Sequence, residues 1–182
     1  MAKRFRFVFV LLLGCMSCQS ANAEPFTAEL LVRLDRVGAP AVSPDGSLVA
    51  YSVRKTDMDA AKGRYDLWIS TTAGGQPQQL TRHESADSDP AWSADGKAVY
   101  FLSSRSGSSQ VWRIAPDGGE AVQVTDLPID VGTFRLTPDD SGLVVSLKVY
   151  NGCDDLACTV DKTKAVKDSP TSGQAYTRLF MR

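Results

Sequence analysis

The sequence predicts an all-β protein, an incomplete β-propeller of four-stranded blades, and three observations predict it. The first is a set of landmarks sharing one period. Asp66-Leu67-Trp68-Ile69 returns as Gln110-Val111-Trp112-Arg113-Ile114, Gly74-Gly75 as Gly118-Gly119, and Gln79-Leu80-Thr81 as Gln123-Val124-Thr125, each 44 residues on. The second is a turn motif. Ser43-Pro44-Asp45-Gly46 returns as Ser93-Ala94-Asp95-Gly96 after 50 residues, and as Thr137-Pro138-Asp139-Asp140 after a further 44. The third is the run behind each turn: Leu48 to Val53, Ala98 to Leu102 and Leu143 to Val149 are almost continuously apolar. Such a run implies a strand covered on both faces, as in a sheet stacked between two others. Four short strands within a period of about 40–45 residues is the spacing of propeller blades.

The N-terminus, residues 1–23, reads as an export signal. Met1-Ala2-Lys3-Arg4 is positive, Phe7 to Leu13 is unbroken apolar sequence, and Ala21-Asn22-Ala23 offers a small-x-small cleavage site. The apolar run is too short for a spanning helix, which needs about 20 such residues. Leu12-Leu13-Gly14-Cys15 also resembles a bacterial lipobox, so two outcomes stay open. One is soluble export to the periplasm or medium; the other is a lipid on Cys15, the only expected route to a membrane. Residues 24–37 predict an entry helix. Thr27 can cap it, Glu29 suits its positive end, Phe26 can staple onto Leu31, and Leu30, Leu31 and Leu34 share a face. Gly38-Ala39-Pro40 is expected to end the helix, and its apolar face to cover a blade edge.

Residues 38–150 predict two blades and the start of a third. In the second, Ala91-Trp92-Ser93 is the first strand, Ala98 to Leu102 the second, Gln110 to Ile114 the third and Ala121 to Val124 the fourth. The turns between them are Ala94-Asp95-Gly96 and Pro116-Asp117-Gly118-Gly119, rich in residues that accept left-handed backbone. The first unit holds six extra residues within the polar stretch Lys55 to Arg64, where a loop is expected to absorb them. Trp68 and Trp112 recur at one blade position and are expected structural anchors, as are Asp45, Gly46, Asp95 and Gly96 in the turns. Residues 151–182 are expected to be a connector in which Cys153 and Cys158 close a local disulfide, because an exported chain meets an oxidising compartment. A closed ring takes four to eight blades, roughly 180–350 residues at this period. The repeats stop well short of that, so the sequence reads as the front of a longer protein whose open stack leaves a blade face uncovered.

Composition narrows function by exclusion. Of 182 residues, 43% are hydrophobic and 23% charged, which excludes a disordered, collagen-like or multi-span membrane chain. Twenty basic side chains against 21 acidic ones exclude nucleic acid as the main partner. Gly-x-Ser-x-Gly does not occur; the nearest run is Gly107-Ser108-Ser109-Gln110. His83, the only imidazole, reads as a solvated connector residue, and no set of ligands surrounds it for a metal. Asp57/Asp59, Asp87/Asp89 and Asp154/Asp155 do not continue into a calcium loop and read as loop and turn residues. Gly74-Gly75 and Gly118-Gly119 lack the Lys-Ser/Thr of a phosphate loop. No catalytic, cofactor-binding or metal-binding residue is expected in these 182 residues, and no cofactor.

Val42-Ser43-Pro44-Asp45-Gly46-Ser47-Leu48-Val49-Ala50-Tyr51, Asp66-Leu67-Trp68-Ile69, Gly74-Gly75 and Gln79-Leu80-Thr81 resemble the repeats of TolB-like propellers and, equally, those of the prolyl oligopeptidase family of serine peptidases. The flanks favour the second. Phe26 to Leu34 followed by Val37-Gly38, Cys153 to Cys158, and Tyr176 to Arg182 are similar to segments of exported bacterial dipeptidyl aminopeptidase/acylaminoacyl-peptidase members. The resemblance implies a propeller that caps an α/β-hydrolase domain carrying Ser, Asp and His, and that limits and orients the peptides reaching it. The implied partners are that hydrolase domain, beyond this sequence, and peptide substrates. No triad residue has a counterpart here. The alternative is a TolB-like binding propeller that holds protein or glycan and has no enzymatic activity.

Overall fold

The computed structural model describes residues 25–169. Within them two four-stranded antiparallel blades and a two-stranded opening of a third stack in chain order. Blade 1 comprises β1 (Arg36–Val37), β2 (Ala41–Val42), β3 (Leu48–Asp57), β4 (Lys62–Thr71) and β5 (Gln78–Gln79). β1 and β2 both pair with β3 and act as one interrupted first strand. Sheet pairing thus begins at Arg36, ahead of the predicted start at Gly38. Blade 2 comprises β6 (Asp87–Trp92), β7 (Val99–Ser103), β8 (Gln110–Ile114) and β9 (Val122–Gln123), and blade 3 comprises β10 (Val131–Leu136) and β11 (Leu143–Leu147). The 44-residue spacing survives as register: Tyr51 pairs with Trp68 in blade 1, and Phe101 with Trp112 in blade 2.

The continuous apolar strands are explained by two cores. Ala50, Leu67, Leu80, Val99, Phe101 and Ile114 pack between blades 1 and 2, and Leu102, Val111, Val131 and Phe134 between blades 2 and 3. β7 feeds both, sending Val99 and Phe101 one way and Leu102 the other. A strand caught between two sheets has no solvent face on which to place polar residues. β11 has a neighbour on one side only, and Val144 on its other face is 66% exposed.

Two expectations need correction. The six extra residues of blade 1 form no loop. They lengthen the β3–β4 hairpin through the pairs Lys55/Arg64, Thr56/Gly63 and Asp57/Lys62. Asp57 then caps the tip, its Oδ1 accepting the N–H of Asp59 (3.0 Å) and Ala60 (2.9 Å). Continued pairing satisfies backbone donors that a loop would leave to water, and polar side chains suit an arm with solvent on both faces. The Arg54 guanidinium crosses the arm over Gly63, where a Cβ would make it move aside.

The entry helix, α1 (Ala28–Arg33), is capped as predicted, Thr27 Oγ1 accepting the Leu30 N–H at 3.1 Å. It ends at Leu34 rather than at Gly38-Ala39-Pro40, however, and Phe26, Leu30, Leu31 and Leu34 are all exposed. A helix of six residues reaches too little of β3 to bury that face. The connector holds the expected Cys153–Cys158 disulfide and, in addition, a helix. This is α2 (Leu156–Lys167), whose N-cap Asp155 accepts the Cys158 N–H at 2.8 Å. Its Lys- and Thr-rich sequence carries little apolar periodicity, so a sequence reading passes over it.

Antiparallel order sorts the connections to two ends of the stack. One end carries the tight turns at 43–46, 93–96, 137–140 and 115–118. The other carries the β3–β4 tip, the 104–109 loop, α2, and the inter-blade crossings at 81–86 and 124–130. Elaboration is confined to this second, connector end.

Candidate functional site

The repeated turns are built alike. Asp45 Oδ1 accepts Ser43 Oγ (2.6 Å) and the Ser47 N–H (3.1 Å); Asp95 Oδ1 accepts Ser93 Oγ (2.8 Å) and the Lys97 N–H (3.0 Å). Gly46 and Gly96 follow at φ 74° and 70°, the left-handed region that favours glycine. In the third turn Asp140 takes that position at φ 55°, and its Oδ2 accepts the Ala94 N–H of the neighbouring turn at 2.6 Å. The hydrogen bonds from Ser43 and Ser47 hold the Asp45 carboxyl at about 2, and those from Ser141 and Thr137 do the same for Asp139. A carboxylate whose folded pKa lies below its unfolded value of about 3.9 stabilises the fold above that value and loses the contribution as pH falls. Thermal unfolding followed by circular dichroism should therefore drop in midpoint between pH 4 and pH 2. The Asp45→Asn/Asp139→Asn double variant should show a shallower drop over the same interval.

The three tryptophans are engaged in different ways. Trp112 packs against the core between blades 1 and 2, with the Arg105 guanidinium 5.0 Å from its ring centroid. Trp68 lies under Lys55 Nζ, 5.1 Å from its centroid. Trp92 donates its indole N–H to the Ala41 carbonyl at 2.9 Å, a direct link between the first strands of two blades.

The acidic pairs are dispersed. Asp59 is exposed at the hairpin tip, Asp89 is exposed at a bulge with φ 51°, and Asp154 is exposed beside the helix cap Asp155. Asp87 departs from its predicted loop role. It opens β6, is fully buried, and accepts Arg105 Nη2 at 2.7 Å. Nothing in its local sequence marks it, since its partner stands 18 residues away. Asp66 is buried too, with Arg64 Nε 3.3 Å from its Oδ2. Burial pushes its carboxyl above the ordinary range; Arg64 opposes the shift and Asp87 adds to it. Among the described residues no three His, Cys, Asp or Glu side chains stand together as metal ligands.

Two clefts stand out among the described residues. The first, about 580 Å³, lies between blades 1 and 2 and is lined by Arg82, His83, Arg105 and Trp112. His83 is exposed, and its Nδ1 accepts the Ser85 N–H at 3.0 Å. The second, about 890 Å³, lies at the connector end between α2, the 107–108 loop and the Pro128–Asp130 crossing. One wall is fixed by the Cys153–Cys158 disulfide and by buried Thr159, whose Oγ1 accepts the Tyr150 N–H at 3.4 Å. Cys15 and the export signal lie outside the described residues.

The sequence model of the TolB beta propeller domain family matches residues 32–167. Uncharacterized peptidase YuxL of Bacillus subtilis is 30% identical over 127 residues, which are 69% of this chain and 19% of that protein. Dipeptidyl-peptidase 5 of Porphyromonas gingivalis is 32% identical over 136 residues, 75% of this chain and 20% of that one. Among solved structures, the AtxE2 isopeptidase, a protein of Asticcacaulis excentricus, superposes with a TM-score of 0.60 at 21% identity, over 80% of this chain and 25% of the other. At that identity the likeness is one of fold. The chain spans about a fifth of the length of the curated relatives it matches.

Proposed function

Because the chain belongs to the TolB β-propeller domain family, we propose that it is the non-catalytic, N-terminal part of the propeller of an exported serine exopeptidase. In this reading the completed ring admits peptides and orients them toward an α/β-hydrolase domain that supplies Ser, Asp and His. One observation carries it: the peptidase relatives match over about a fifth of their own length, and the match falls on the propeller blades of this chain. The blades themselves are suited to gating. Their two cores make a stiff stack, while their connector end presents clefts and projecting elements. Export is part of the same proposal, with the cleavable signal favoured over lipid on Cys15.

A fluorophosphonate serine probe tests the reading. The protein at its native full length should be labelled stoichiometrically at one serine outside residues 1–182. The 182-residue chain alone should take no label. Absence of labelling at full length would favour the second reading, a binding propeller without enzymatic activity, to which the TolB name of the family lends weight.

A further inference from the structure

The cleft at the connector end has a charge that its surroundings leave unanswered. Lys148, Lys164 and Lys167 line it against a single acid, Asp130, and none of the three has an ion-pair partner among the described residues. One Asp130 oxygen is already engaged by the Ser109 N–H at 2.7 Å. Lys164 and Lys167 sit in the last turn of α2, where they offset the negative helix end. Lys148 follows β11 and has no such duty. We propose that this cleft binds an acidic segment of a peptide, its Asp or Glu side chains meeting the three lysines, an inference that rests on the peptide-gate reading above.

Four features support that occupant. The volume, about 890 Å³, suits a short run of side chains, since ligand sites span roughly 300–1,000 Å³. Ile129, Val149 and Tyr150 give the peptide's carbon skeleton an apolar wall. The lysine-bearing helix is held in advance by its Asp155 cap, by the disulfide and by Thr159, so little ordering is left to binding. Finally, the crossing Pro128–Asp130 leads into β10, the first strand of its blade. In a ring of such blades the first strand lines the central channel, which puts the cleft beside the channel mouth. Three like charges gathered there lower their mutual repulsion by taking up carboxylates, and such complementarity chooses among partners more than it adds raw affinity.

The test uses the full-length protein, its reactive serine blocked by the fluorophosphonate, and fluorescence anisotropy of labelled peptides. One peptide carries three Glu in a Gly/Ser host, one carries Gln at those positions, and each is made with a free and an amidated C-terminus. The Glu peptide should bind about tenfold more tightly than the Gln peptide, whatever its C-terminus, and the preference should fade as salt is raised. Lys148→Gln/Lys164→Gln/Lys167→Gln should abolish the preference and leave binding of the Gln peptide and the thermal midpoint unchanged. Should the triple variant fail to fold, Lys148→Gln alone should reduce the preference about threefold. Equal binding of Glu and Gln peptides overturns the proposal, as does a preference set by the free C-terminus alone or one that survives the substitutions. Serine labelling without Glu preference refutes this inference and leaves the peptidase standing; Glu preference without labelling does the reverse.

Discussion

Replacing Asp87 with alanine is expected to destabilise the protein by about 3–5 kcal/mol, because it leaves the Arg105 guanidinium, largely buried at the edge of the cleft between blades 1 and 2, without its carboxylate. Asp87 is fully buried, the Arg105 side chain is 13% exposed, and they meet at 2.7 Å. The energy lies in the uncompensated charge rather than in the pair. Asp87 Oδ1 is itself buried without a hydrogen-bond partner, so the intact site is not well satisfied. It follows that removing both charges should cost little. Val131 holds the equivalent place in blade 3, 44 residues on, and is 1% exposed there, so a valine fits this blade position. The double variant Asp87→Val/Arg105→Met should fall within about 1 kcal/mol of the parent or exceed it. Urea unfolding of the full-length proteins, with the slopes compared, separates the cases. A single variant as stable as the parent would mean that Arg105 reaches water without moving.

Phe101→Ala should cost a similar amount, about 3–5 kcal/mol, by a different route. Phe101 has no exposed surface and lies at the centre of the core shared by blades 1 and 2, under the Arg105 guanidinium at 5.3 Å. Alanine there leaves a cavity between two sheets that are each held by their own ladder and cannot easily close on it. The same truncation at Val144, exposed on the far face of β11, should change stability by less than about 0.5 kcal/mol. Calorimetric midpoints of the two variants check the contrast. Equal losses would show that the position of a residue between blades does not decide its weight.

The contrast explains why so much of the architecture could be read from sequence. Turn chemistry is local: Ser43 and Asp45, or Ser93 and Asp95, lie two residues apart and need nothing else to bond. Continuous apolarity in β7 reports two covered faces without saying by what. The third strand of blade 2, Gln110–Ile114, falls on its predicted bounds because its landmark tryptophan repeats. Two elements without a repeat read differently in sequence and in structure. The β3–β4 arm is polar on both faces and looks like a loop, and α2 lacks an apolar stripe and looks like a connector. Asp87 reads as a turn residue because four of the five residues before it are polar.

The candidate site was legible in outline and hidden in its contents. The Cys153 and Cys158 pair could be read along the chain. Arg105 with Asp87, Asp66 with Arg64, and the three lysines of the connector-end cleft could not. Sequence by itself determined what one or two neighbours can enforce: the period, the turns, the cap of the entry helix and the apolar strands. Tertiary structure alone decided which charges are shut away from water and which stand open to a ligand. That division has a physical cause. A hydrogen bond within a turn is set by backbone geometry over a few residues, whereas the burial of a charge depends on how two sheets meet, and the meeting is fixed by the summed packing of side chains far apart in the chain.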